Sequence, residues 1–97
     1  MAEIILKTDH PKKAQEFLSE TLETEISRIG YSLTLARKRL LKFEKKYKIT
    51  SKEFIKNWTA EDLIGKDMEY VEWAGEHKLS ENLNDRLNTL KSIIYVS

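Results

Sequence analysis

His10, His77, Glu72 and Glu76 are the side chains best suited to acid–base or metal chemistry. On a helix, Glu72 and Glu76 share a face at i, i+4, but Glu76 and His77 are adjacent and diverge. His10 lies far away in sequence, at what reads as a helix entrance. The chain has no cysteine, no serine in a nucleophile-elbow pattern and no glycine-rich phosphate loop. A solvated helix face is the plainer reading of residues 72–77. No catalytic residue, metal or cofactor is assigned, and an enzyme is the least favoured class.

Two other constellations bear on binding. Arg37, Lys38, Arg39, Lys42, Lys45, Lys46, Lys48, Lys52 and Lys56 stand against only Glu44 and Glu53, with Phe43, Tyr47 and Phe54 interleaved and Trp58 just beyond. Cations tracking phosphates beside a base-stacking aromatic would make a nucleic-acid surface, with Arg37, Lys38, Arg39, Lys42, Lys45 and Lys46 as its candidates. The alternative places Phe43 and Tyr47 in a helical seam and leaves the lysines to solvent or to an acidic protein. The second constellation is Asp67–Ala74, where Asp67, Glu69 and Glu72 alternate with Met68, Tyr70, Val71 and Trp73. Tryptophans default to core packing, yet in a chain with a modest core they also anchor interfaces. Trp58, Asp67, Glu69, Tyr70, Glu72 and Trp73 are therefore the candidate protein interface, an apolar centre with an acidic rim.

The elements that must position these residues are mostly helices. Leu18, Leu22, Ile26, Ile29, Leu33, Ala36, Leu40, Phe43 and Tyr47 recur at spacings of four and three, the seam of a helix that lies along another helix. No proline interrupts it after Pro11, so 11–48 reads as one helix of about 57 Å. A compact chain of this length has a radius of gyration of about 12–13 Å. The seam therefore exceeds what one monomer covers, and a homo-oligomer built on Leu22, Ile26, Ile29, Leu33 and Leu40 is expected. Gly30 is the weak point, at about 1 kcal/mol relative to Ala. The seam keeps its phase across it, which favours continuity over a break restarting at Ser32.

Around that helix, Glu3–Thr8 is β-branched and apolar and reads as a strand, 3–8. It would pair with the C-terminal segment, a second copy or another protein's sheet. Asp9-His10-Pro11 marks the helix start, with Pro11 at the first helical position. Thr50 and Glu53 have capping-box spacing, as do Thr59 and Asp62, giving short helices over 51–64 up to Gly65. Asp67 caps a C-terminal helix, 67–95. The expected fold is one mainly α domain, 1–97: an extended helical hairpin with a short N-terminal strand.

The net charge of +1 conceals segregation. The basic middle lies between an acidic first third and an acidic tail, which favours attraction within or between chains. Hydrophobic residues make up 40% and charged residues 34%, as in a helix-rich soluble protein. No apolar run approaches the ~20 residues that cross a bilayer. Met1-Ala2-Glu3 lacks the basic and apolar regions of a signal peptide. With no cysteine, a cytoplasmic protein that avoids membranes is expected.

Phe43-Glu44-Lys45-Lys46-Tyr47-Lys48-Ile49-Thr50-Ser51-Lys52-Glu53-Phe54, followed by Asp67-Met68-Glu69-Tyr70-Val71-Glu72-Trp73-Ala74-Gly75-Glu76, resembles small archaeal and cyanobacterial antitoxins of the TumA type. The likeness covers about the central third of the chain, and Lys48 stands where such proteins often have Gly. The resemblance implies a non-enzymatic protein that binds and neutralises a small TumE-type ribonuclease toxin; DNA at an operator is a separate candidate partner. A rival reading notes that a strand followed by a helix is similar in order to ribbon-helix-helix DNA-binding proteins. That would make the chain a dimeric regulator acting through the strand or the basic block 37–56. A third possibility is a self-associating helical protein with no further activity.

Overall fold

Pro11 opens α1, Pro11–Tyr47, where its missing N–H costs nothing. His10 supplies no side-chain cap; its carbonyl accepts the Ala14 N–H at 2.9 Å, and its own N–H donates to Thr8 Oγ1 at 3.1 Å. The helix passes through Gly30 without a break. It stops at Lys48, whose φ of 54° and ψ of 42° are left-handed. That is a position glycine fills more easily, because a Cβ is strained there. Thr50 then starts α2, Ser51–Asn57, its Oγ1 accepting the Glu53 N–H at 3.2 Å and its carbonyl the Phe54 N–H at 2.9 Å. The third helix, α3, is Met68–Lys91.

The computed structural model describes residues 2–57 and 68–93. α3 runs antiparallel to α1, with Lys46 beside Glu69, Phe43 against Trp73 and Arg39 beside Glu76. Ile29, Leu33, Ala36 and Leu40 are buried on α1, and the half-buried Leu83, Leu87 and Leu90 lie on α3. α3 runs out before α1 does, so the first turns of α1 project beyond the hairpin. The result is a rod of 56 × 23 × 21 Å with a radius of gyration of 18.8 Å, well above the ~12–13 Å of a compact chain this long.

Three expectations need adjustment. The strand 3–8 is absent: residues 2–8 have no regular structure and are exposed, because no second strand meets them in the described chain and a lone strand leaves its backbone groups unpaired. The seam is divided. Ile29, Leu33 and Leu40 are buried inside the hairpin, Leu22 and Ile26 are half-buried, and Leu18 is exposed. α3, expected over 67–95, is helical to Lys91, after which the Ser92 and Ile93 N–H groups turn back to the carbonyls of residues 88–90. Asp67, Trp58, the end of the 51–64 segment and residues 94–97 lie outside the described residues.

Candidate functional site

Residues 43–54 and 68–76 meet at one end of the hairpin. The helical spacing 43, 47 on α1 and 70, 73 on α3 points four rings inward, and α2 adds Phe54. Trp73 lies at the centre and is 1% exposed. Its ring stacks on Phe54 at 4.0 Å with planes 4° apart, and on Phe43 and Tyr47 at 5.6 Å each. Tyr70 closes the cluster against Tyr47 at 5.4 Å and Phe54 at 5.8 Å. Stacked and tilted aromatic pairs contribute about 0.5–1.5 kcal/mol each beyond burial.

The polar atoms of this junction are tied into a short chain. Trp73 Nε1–H donates to Ser51 Oγ at 2.8 Å, in a buried contact. The Ser51 N–H, free at the start of α2, donates to the Glu44 carboxylate at 2.7 Å. A buried indole N–H thus finds its acceptor, and the first turn of α2 is held to α1. Glu69 accepts from Lys46 Nζ at 2.6 and 2.7 Å and from the Tyr47 hydroxyl. The Lys46 hydrogen bond, and after it that of Tyr47, hold the Glu69 carboxyl below its ordinary range, and Glu69 in turn raises Lys46.

Beside the cluster runs an open groove of about 620 Å³ between α1 and α3. Phe43, Gly75 and Leu79 lie along it. Arg39, Lys42 and Lys46 line the α1 wall, and Glu69, Glu72 and Glu76 the α3 wall. Arg39 reaches Glu76 at 3.2 Å and Lys46 reaches Glu69 at 2.6 Å. Among the described residues, Lys42 and Glu72 form no ion pair. Exposed Met68 and Leu79 continue the α3 wall on either side of Glu72 and Gly75, at helical spacings of four, three and four.

The sequence-derived candidates distribute as follows. Glu69, Tyr70, Glu72 and Trp73 share one stretch of α3, but Trp73 is core and Glu69 is bonded to α1, which leaves Glu72 as the exposed member. Trp58 and Asp67 are not among the described residues. The six basic candidates do not form one stripe. Arg37 contacts Asn84 at 3.5 Å and Arg39 contacts Glu76, and residues two apart on a helix point about 200° from each other. All six are exposed, and three of them share the groove with the acids of α3. His77 Nε2 lies 2.6 Å from Glu81, so Glu76 and His77 turn to separate partners. No three metal-ligating side chains converge among the described residues. No helix there is long and apolar enough to cross a membrane.

Sequence reasoning missed the groove residues Gly75 and Leu79 and the buried Ser51. The Gly75–Leu79 spacing and the apolar stretch on a second face of α3 were the available signal. Ser51 gave none, since a serine opening a helix ordinarily faces water. Comparison with protein-family models, with curated proteins and with solved structures returns no match.

Proposed function

We propose that this chain is an antitoxin-like protein that binds and masks a small, basic ribonuclease toxin in the cytoplasm, and that the groove between α1 and α3 is where the toxin seats. The observation that carries this reading is the groove itself: it is lined by Phe43 and by exposed Leu79, with exposed Met68 beside it and an acid, Glu72, without a cation. An apolar centre with a charged rim suits a partner that inserts a side chain and brings its own cations. The stretch that resembles antitoxins builds the aromatic junction beneath this groove, so the resemblance and the groove concern the same part of the molecule. Trp73 acts here by holding α3 in place, and Met68, Glu72 and Leu79 make the contact.

The basic block supports a protein partner better than DNA. Arg39 and Lys46 are already engaged by carboxylates, and Arg37 points away toward Asn84, which leaves Lys38, Lys42 and Lys45 as a short exposed line at i, i+4 and i+7. Three aligned cations make a short footprint for phosphate tracking, and the carboxylates of α3 lie beside them.

The test is co-expression with a small basic protein encoded beside this chain, scored by growth. Wild type should protect. Leu79→Asp, and Met68→Ala with Glu72→Lys, should lose protection while circular dichroism stays helical. Full protection by both folded variants would rule the groove out. Tight, sequence-dependent binding of duplex DNA by the isolated protein at physiological salt would favour the regulator reading instead.

A further inference from the structure

The arm of the rod carries apolar surface that the toxin-binding reading does not use. Ile4, Ile5, Leu6, Phe17 and Leu18 are 86, 77, 69, 60 and 41% exposed. They fall within fifteen residues, on a segment without regular structure and the first two turns of α1, past the end of α3. We propose that this arm is a homodimerisation element: residues Glu3–Lys7 of two copies pair as an antiparallel ribbon, and the ribbon covers the projecting start of each α1.

Two observations select a second copy as the occupant. The first is charge. In an antiparallel pair centred on Ile5, Glu3 of each copy faces Lys7 of the other, Ile5 faces Ile5, and Ile4 faces Leu6. Shifting the centre by half a residue sets Glu3 against Thr8 and Ile4 against Lys7, and both ion pairs are lost. Opposite charges placed directly across a ladder favour the register, and like charges there oppose it. The strand period then puts Glu3, Ile5 and Lys7 on one face and Ile4, Leu6 and Thr8 on the other. The second face is the one to lie on Phe17 and Leu18. A two-fold axis makes such a contact self-complementary.

The second observation is area. Covering Ile4, Leu6, Phe17 and Leu18 removes on the order of 500 Å² per copy, or roughly 1,000 Å² for the pair, about what a specific interface must clear. Pairing also resolves the backbone: the N–H and C=O groups that residues 3–7 leave open find partners in the ladder. His10 and Pro11 fix where the segment joins α1, with Thr8 Oγ1 accepting the His10 N–H. The hairpin core is untouched by this contact, so dimerisation requires no toxin.

Sedimentation of the purified chain should show a dimer at tens of micromolar. Ile5→Lys puts two ammonium groups across the axis in place of the Ile5–Ile5 pair; dissociation should become about tenfold or more easier. Its helical circular dichroism should be unchanged, because residue 5 lies outside every helix. Glu3→Lys and Lys7→Glu should each weaken the dimer roughly tenfold, and mixing the two should restore it as a heterodimer. The chain has no cysteine, so Ile5→Cys should oxidise to a single symmetric cross-link. A wild type that stays monomeric at about 100 μM would overturn the proposal. So would a dimer indifferent to Ile5→Lys, or a mixture of the two charge variants that fails to pair.

Discussion

The two ends of α1 have the same helical pattern and opposite fates. Near Tyr47 the seam meets α2 and α3, and Leu40, Phe54 and Trp73 are almost wholly buried among Phe43, Tyr47, Ile49, Ile55, Tyr70 and Ala74. Near Pro11 the seam runs on past the last residue of α3, and Leu18 remains in water. The sequence period is the same, so the period does not decide burial. What decides it is whether a second element is long enough to reach. Stability should therefore be concentrated at the aromatic junction and fall away toward the arm.

The sharpest way to break this contrast is Trp73→Ala. It removes the ring on which Phe43, Tyr47 and Phe54 stack and orphans Ser51, and should cost about 3–5 kcal/mol in denaturant unfolding. A loss below about 1 kcal/mol would mean that the junction does not hold the hairpin. Leu33→Ala comes next, at about 2–5 kcal/mol, set beside Leu18→Ala. The Leu33 loss should be independent of protein concentration. The Leu18 loss should be near zero in dilute solution and grow with concentration as the arms associate. Ser51→Ala leaves a buried indole N–H without an acceptor and should cost about 1–3 kcal/mol. Lys48→Gly should do the reverse, stabilising by about 0.5–1 kcal/mol by relieving the left-handed residue that ends α1.

The smallest effect is the pH dependence of the Glu69 contacts. Hydrogen bonds from Lys46 and Tyr47 lower the Glu69 carboxyl from its ordinary 4.5. A lowered carboxyl contributes stability in full above about pH 4.5 and loses it as pH falls through the lower folded value. Lys46 is raised from 10.5, so its share is full below that pH and is lost as pH rises through the higher folded value. Glu69→Gln should flatten the acid limb of thermal stability slightly and lower the midpoint near neutrality by the same small amount, because exposed ion pairs contribute little.

The helices were legible because their signals are local. Pro11 at a first helical position, the unbroken phase from Ile29 to Leu33 across Gly30, and Thr50 before Glu53 each fix a boundary or a continuity without reference to distant residues. The segment Glu3–Thr8 misled because β-branched composition reports what a strand favours, while a strand also requires a partner. The candidate site was half legible. The i, i+3 step from Tyr70 to Trp73 puts both on one side of α3, but which side faces α1 depends on the hairpin's register. That register turned Trp73 inward and left Glu72 out. Ser51 was hidden for the same reason, since its partner lies 22 residues away.

An unbroken α1 also behaves as a torsional coupling. Each residue adds about 100° of rotation and 1.5 Å of rise, so the direction in which Phe17 and Leu18 look is geared to that of Phe43 and Tyr47. One alanine inserted between Leu18 and Leu22, beyond the buried part of the seam, would swing the arm by about 100°. An insertion of seven residues would return it almost to its starting phase, about 10 Å farther out. Orientation and reach of the two ends can thus be altered separately, as the angle and length of a drive shaft can.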